Sequence, residues 1–227
     1  KEMLTIEEDG VERLQEWHYP GARECMACHN GGPDFKEAGR FGRYALGFNT
    51  EQLNMHTDLE GEVIHQLHAM DRAGKLNPPL TKPVDQLPTM AGADNEEASL
   101  AFRVRSYLAS NCEACHENIT SRSRLRWNAT LAVNTPETFL IHEEPYNPMG
   151  IPGGRLIHRF DPTKSILLER IRRNGIERMP PLGSSEIDEK AVTLIRRWIT
   201  EDLSKPQSFT DWVHAYFRTV DDPDSIA

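Results

Sequence analysis

All four cysteines of this chain belong to two copies of one short pattern, Cys-x-x-Cys-His. The copies are CMACH at residues 25–29 and CEACH at residues 112–116. In this pattern the two thiols add across the vinyl groups of a haem, and the histidine that follows becomes a ligand of the iron. The spacing therefore predicts two covalently bound haem c groups. The predicted attachment residues and proximal iron ligands are Cys25, Cys28, His29, Cys112, Cys115 and His116.

Two other kinds of site also use paired cysteines. A zinc site with four cysteines does not need a histidine directly after each second cysteine. A thiol–disulfide redox pair usually occurs once, within a βαβ pattern that this sequence lacks. Haem attachment explains the histidines as well as the cysteines. We therefore expect a redox protein in which no cysteine is left for a disulfide.

A haem iron in an electron carrier usually has a second protein ligand, Met or His, that sets its potential. For the second haem the pattern favours Met179, which lies 63 residues after His116 and just before a predicted helix. Pro180 and Pro181 follow it directly. Because proline restricts the backbone, the thioether can be held at little entropic cost. The alternative is a methionine that only fills the core.

Spacing alone leaves several candidates for the distal ligand of the first haem. Met90 lies 61 residues after His29, close to the separation in the second pair, and stands in a loop before a predicted helix. We therefore take Met90 as the leading candidate. The alternatives are an open coordination site or one of five earlier side chains, which are Met55, His56, His65, His68 and Met70.

Haem propionates are carboxylates, which arginine binds through two parallel hydrogen bonds. Several residues after the second motif could serve this purpose, or could simply be solvated in a charged protein. They are Arg122, Arg124, Arg126, Trp127, Arg155 and Arg159.

The elements that must position these residues are predicted to be helices joined by long loops. The clearest helix runs from about residue 96 to 110, capped by Asp94 or Asn95, and leads into Cys112. A second runs from about 186 to 199 after Ser185, with an apolar face. Shorter helices are expected at 60–73 and 164–173, a loop at 130–159, and a weakly amphipathic end at 204–227.

The fold class predicted from these elements is all-α, with two tandem class I cytochrome c-like haem domains. The two motifs start 87 residues apart, about the size of one small haem domain. We expect the first domain to cover residues 1–97. The second would cover 98–227, including a C-terminal extension. A loose similarity between the halves suggests that the helix at 96–110 closes the first unit and opens the second.

Charge and hydropathy restrict the possible partners and the cellular location of the protein. The chain of 227 residues carries a formal net charge of −9, which argues against nucleic acid and anionic membranes as partners. No apolar run has the length of a transmembrane helix, so we expect no membrane insertion. The start of the sequence does not resemble a signal peptide. Since haem attachment of this kind takes place outside the cytoplasmic membrane, we expect a processed, periplasmic or extracellular protein.

Four segments of the chain resemble a family of secreted bacterial dihaem c-type cytochrome modules. They are WHYPGAREC at 17–25, LGFNTEQLN at 46–54, RVRSYLASNC at 103–112 and MPPLG at 179–183. Such modules often form the C-terminal part of larger exported proteins, some with a propeller that looks like a quinoprotein sugar dehydrogenase. The resemblance covers residues 17–200. It implies haem roles for the cysteines and histidines of both motifs and for Met179.

The function that these patterns favour is electron transfer. A dihaem cytochrome would carry single electrons between a redox partner, such as a dehydrogenase, and an acceptor. This needs no catalytic residue. An enzyme alternative is a dihaem peroxidase-like oxidoreductase with an open first haem, although the chain is short and shows no acid–base pair. A third alternative is an assembly subunit whose haems stack into a longer conduit.

Overall fold

The computed structural model of the chain describes residues 1–8, 10–22, 24–25, 47–117, 125–175 and 177–205. Several predicted features lie outside these residues. They are Cys28, His29, Arg122, Arg124 and most of the predicted C-terminal extension.

The described residues form short helices and two small antiparallel sheets. The strands pair as two hairpins, β1 (Glu2–Glu8) with β2 (Val11–Trp17) and β3 (His56–Leu59) with β4 (Glu62–His65). The α-helices are α1 (Thr50–Leu53), α2 (Gln66–Arg72), α3 (Leu100–Cys112), α4 (Ile166–Ile171) and α5 (Glu189–Arg197). Single 3-10 turns occur at Val84–Gln86, Thr135–Thr138 and Pro162–Lys164, and a π turn, Trp198–Asp202, follows α5.

The all-α prediction is therefore wrong, because two hairpins were not foreseen. The first is encoded by alternating side chains on either side of Asp9-Gly10, a dipeptide that favours tight hairpin turns. Gly10 has a φ of 76°, a value that glycine adopts without strain. In the paired strands, Leu4 lies opposite Gln15 and Ile6 opposite Arg13. Together these four half-buried residues form one face of the hairpin.

The second hairpin replaces the first part of the helix predicted at 60–73. Glu60 and Gly61 both have positive φ and turn the chain, and the side chain of Asp58 accepts a hydrogen bond from Gly61 N at 2.9 Å. The helix α2 begins only after this hairpin, with His65 as its N-cap. The turn at Glu60 and Gly61 thus overrides the helical periodicity of the sequence, and the helix starts later than predicted.

The two long helices are shorter than predicted but stand where expected. Ser99, rather than Asp94 or Asn95, caps α3, and the helix ends at Cys112. Asp188 caps α5 by accepting a hydrogen bond from Ala191 N at 2.9 Å. The predicted apolar face of this last helix is confirmed, since its members are all buried. They are Ala191, Leu194, Ile195, Trp198 and Ile199.

The main hydrophobic core lies in the second half of the chain. It packs α3, α4 and α5 around buried residues of the intervening loop, which are Trp127, Ala129, Leu140, Leu156 and Ile157. The loop predicted at 130–159 is indeed irregular, with Ile141 and Ile157 joined by an isolated parallel bridge. Before α3, Leu67 is the only hydrophobic side chain among the described residues that is fully buried. The core therefore surrounds the second Cys-x-x-Cys-His motif.

Residues 90–93 lie along α3 and are held by its side chains. Arg103 Nε donates to Ala93 O at 2.8 Å, and Ser106 Oγ accepts from Ala91 N at 3.0 Å. Ser110 Oγ donates to the sulfur of Met90 at 3.1 Å. The helix α3 thus contacts residues 90–93 as well as the core of the second half. The domain boundary between residues 97 and 98 stays a prediction.

Candidate haem-binding site

The second attachment motif begins on the last residue of α3. The amides of Cys115 and His116 both donate to the carbonyl of Cys112, at 3.1 and 2.8 Å, so the motif turns back on the helix end. This turn brings the two thiols close enough for the charge of one to affect the other. The described geometry therefore places both predicted attachment residues together.

The thiol of Cys112 is poorly suited to disulfide chemistry. Burial, and secondarily the neighbouring Cys115, raises its pKa to about 12. A reactive cysteine in a redox pair needs a lowered pKa, because the thiolate is the nucleophile. The raised pKa of Cys112 therefore argues against a thioredoxin-type pair.

His116 is a largely buried imidazole. Its ring packs on Trp127 with the ring centroids 4.5 Å apart, and Trp127 is only 5% exposed. Burial, with a smaller contribution from the charge of Arg170, lowers the pKa of His116 to about 4. The ring is thus neutral at ordinary pH, which is the form that binds a metal.

The backbone of His116 is well fixed, since Ala129 N donates to His116 O at 2.7 Å. Its Nδ1 atom is buried and unpaired among the described residues. Ligation of an iron through Nε2 would leave Nδ1 to carry the ring proton. A held and neutral imidazole fits a ligand of haem iron.

Met179 lies in a loop that Arg178 fixes from inside. The guanidinium of Arg178, 7% exposed, donates to Asn174 Oδ1 at 2.5 Å, to Ser184 Oγ at 3.2 Å and to the carbonyl of Glu186. These acceptors stand on both sides of Met179 in the sequence. The loop is therefore closed around a buried charge rather than around an apolar core.

Arg170 on α4 connects the two predicted ligands of the second haem. Its carbonyl accepts a hydrogen bond from Met179 N at 3.2 Å, and its charge lowers the pKa of His116. Its side chain donates to the carbonyl of Glu177 at 2.9 Å, two residues before Met179. The structure thus brings the Met179 loop and His116 to the same end of α4.

A cleft lies between α3 and the Met179 loop. Tyr107 and Asn111 line it from the helix, and Met179, Pro180 and Leu182 line it from the loop. Burial, followed by the charges of Asp188 and Cys112, raises the pKa of Tyr107 to about 12. Because the charge of an ionised Cys112 contributes to the raised pKa of Tyr107, the cleft is adjacent to the attachment motif. Met179 is half-buried at its edge.

The first attachment motif is only partly described. Cys25 is exposed, and its amide donates to Gly21 O at 2.9 Å. Because Cys28 and His29 lie outside the described residues, the pairing of Met90 with the first haem stays a prediction.

Met90 itself is well held between α1 and α3. Its amide donates to Glu51 O at 3.1 Å, while Ser110 donates to its sulfur. Asn54, at the end of α1, donates to the carbonyls of Val84, Leu87 and Pro88. Asn54 was not singled out from the sequence, although a buried asparagine after a helix is suited to bridging backbone carbonyls.

The alternative ligands cluster on the second hairpin and α2. The ring of His65 lies 5.0 Å from that of His56 and 4.9 Å from that of His68, centroid to centroid. Met55 is 52% exposed. In the described part of the chain, no three His, Cys, Asp or Glu side chains are arranged to share a metal ion.

The arginines suggested for the propionates make other contacts where they are described. Arg126 lies over the ring of Phe139, Arg155 pairs with Glu144, and buried Arg159 donates to Leu203 O. Two arginines that contact the Met179 loop, Arg170 and Arg178, were missed by sequence reasoning. Only the position of Arg178 directly before Met179 could have pointed to it.

Comparisons with family models, curated proteins and solved structures found nothing that matches this chain. Across the described residues, no helix is both long and apolar enough to cross a membrane.

The second motif and the Met179 loop together have the donor set that a haem c requires. The chain supplies two adjacent thiols, a neutral imidazole, and a thioether in a fixed loop. Thiols for attachment, a proximal histidine and a distal methionine are the usual ligands of an electron-carrying haem.

Proposed function

We propose that this chain is a dihaem c-type cytochrome that carries single electrons between redox proteins. The observation that carries the proposal is the environment of His116, whose imidazole is neutral at ordinary pH and packs against the buried ring of Trp127. His116 is the last residue of a complete Cys-x-x-Cys-His motif. The Met179 loop lies at the same end of α4 as His116.

A bound haem would supply the one-electron chemistry, and the protein would set its potential and access. Trp127 and Arg170 keep His116 oriented and unprotonated, while Arg178 holds the loop that presents the Met179 thioether. A methionine ligand is a weak donor and favours ferrous iron, so the second haem should have the higher potential. No proton has to move in this function.

The placement of the two methionine loops supports transfer between the haems. Ser106 and Ser110 of α3 contact the loop of Met90, whereas Tyr107 and Asn111 face the cleft of Met179. If Met90 is the distal ligand of the first haem, both haems flank one helix. Their relative position is then fixed by secondary structure rather than by a flexible linker.

The acidic balance favours partners with a basic docking surface. At a net charge of −9, long-range attraction would raise the rate of encounter, and added salt would lower it. We place the protein in the periplasm or outside the cell, where haem c is attached and where a dehydrogenase donor and a terminal acceptor could meet it.

The test is the intact mass of the denatured protein together with a redox titration. We expect the mass to exceed that of the polypeptide by two haem groups and the titration to show two one-electron steps. As the matched control, replacing Cys112 and Cys115 by serine should remove one haem mass and leave the other. A mass equal to that of the bare chain, or of a zinc form, would contradict the proposal.

A further inference from the structure

The unexpected first hairpin makes two side-chain contacts with the segment that follows Met179. Gln15 Nε2 donates to Ser185 Oγ at 2.6 Å, and Arg13 Nη1 donates to Glu186 Oε1 at 3.0 Å. These partners are 170 and 173 residues apart in the sequence. The contacts therefore close a very long loop and are a property of the tertiary fold.

Both contacting side chains lie on one face of β2. Since side chains alternate along a strand, Arg13 and Gln15 point to the same side, while Glu12 and Glu16 are exposed on the other. The cross-strand partners of the contacting pair, Leu4 and Ile6, are half-buried as well. The hairpin therefore has an inner face, and that face includes the two contacts to the Met179 loop.

The segment contacted by the hairpin is also held by Arg178. Arg178 donates to Ser184 Oγ and to the carbonyl of Glu186, while the hairpin binds the side chains of Ser185 and Glu186. Ser184 and Glu186 line the cleft beside Met179. Opening the loop would have to break both sets of contacts.

We propose that Gln15 and Arg13 are positioning residues that hold the Met179 loop closed and so keep the Met179 thioether on the iron. This inference rests on the proposed haem ligation by Met179. The hairpin then does more than extend the fold, because it controls how readily another ligand can replace methionine. It also joins this loop to the first motif, since Cys25 follows the end of β2 after eight residues.

The experiment measures displacement of Met179 by imidazole in the ferric holoprotein. The readout is the loss of the near-infrared methionine–iron band. We expect the double variant Arg13→Ala/Gln15→Ala to show the normal band at rest but to lose it about tenfold faster, because the loop loses one partly buried hydrogen bond and the exposed ion pair with Glu186. Arg13→Ala also removes an exposed ion pair with Glu8, which lies within the hairpin and does not hold the loop. Lys1→Ala is the matched control. It removes a positive charge from the same hairpin, but one that pairs with Glu16 instead of the loop.

Salt and a conservative variant separate a positioning role from general destabilisation. The effect of Arg13→Ala alone should shrink at 1 M salt, because an exposed ion pair is screened there. Arg13→Lys should restore most of the wild-type rate, since it keeps the charge opposite Glu186. The effect of Gln15→Ala should be independent of salt.

The outcomes distinguish the two proposals. If wild-type protein shows no methionine–iron band, ligation by Met179 fails and the hairpin's role falls with it. A wild-type band with unchanged displacement rates in both single variants and the double variant overturns the hairpin proposal and leaves the haem ligation standing. Faster displacement in Lys1→Ala to the same degree also overturns it, because the loop contacts would then not be the cause.

Discussion

Replacing Arg178 by alanine should loosen the Met179 loop more than any other single change outside the ligands. The guanidinium makes three hydrogen bonds, and its side chain is almost entirely buried. A hydrogen bond from a charged group contributes about 1.5–3 kcal/mol. The three acceptors are neutral, so the substitution leaves no unpaired charge. Asn174 and Ser184 are exposed and can bind water after the substitution. We therefore take about 3 kcal/mol for the three bonds together.

All three acceptors lie between residues 174 and 186, so the loss falls on local opening of the loop rather than on global unfolding. Since about 1.4 kcal/mol corresponds to a factor of ten, the open population should rise on the order of 100-fold. The assay is the rate at which ferric protein binds cyanide, which is limited by dissociation of Met179. We expect this rate to rise by the same factor.

Two variants serve as controls for this prediction. Arg172→Ala removes a nearby arginine that pairs with Glu169 at the surface, and should leave cyanide binding within about twofold of wild type. Arg178→Lys keeps the charge but cannot reach three acceptors in a planar fork, so its rate should be intermediate. The reasoning is refuted if Arg178→Ala binds cyanide no faster than Arg172→Ala does, whatever its thermal stability.

Three further outcomes are expected. Met179→His should lower one of the two potentials and abolish the methionine–iron band, and survival of that band would make Met179 a packing residue. Wild-type protein should be low-spin at both haems, with negligible peroxide turnover. Met90→Ala should create a high-spin site that binds carbon monoxide quickly. Rapid carbon monoxide binding and sustained peroxidase activity in the wild type would favour the enzyme instead. Arg170→Gln should raise the pH of acid loss of the low-spin spectrum. Burial is the main cause of the low pKa of His116, about 4, and the charge of Arg170 lowers this pKa further. The neutral imidazole is favoured above this pKa. Arg170→Lys should leave this transition in place, and equal midpoints for Gln and Lys would show that the charge is irrelevant.

The two helices near the second motif were largely predictable from sequence, since apolar periodicity with a polar cap indicates α3 and α5. The attachment residues are predicted from local spacing and stay a prediction. The helix ends shifted by a few residues, since turns at residues 92–98 take up the predicted caps Asp94 and Asn95. Short-range patterns of this kind depend on neighbours in the chain, so they can be interpreted without the fold.

The first hairpin was missed although a signal was present. Residues 2–17 alternate around Asp9-Gly10, which favours a tight hairpin, but the many acidic residues weaken the contrast between polar and apolar positions. The contacts of Gln15 and Arg13 with residues 185 and 186 could not have been foreseen. They depend on how distant segments pack, and no local propensity reports that.

The roles of Arg170 and Trp127 were also beyond sequence reasoning. Arginine suggested propionate binding, yet Arg170 instead supplies a backbone carbonyl to the Met179 loop and a charge near His116. Trp127 was considered for the same polar role and packs on the ring of His116. A side chain's chemistry restricts what it can bind, but the fold decides which of those options is used.

The helix α3 also determines how the chain can be cut into pieces. A fragment ending at residue 97 loses Arg103, Ser106 and Ser110, which hold residues 90–93. A fragment starting at residue 98 keeps the helix but leaves those side chains facing solvent. Any pair of single-haem fragments must therefore overlap, each carrying its own copy of α3. Both halves of the chain contact α3, so transplanting either half into another protein requires a copy of this helix.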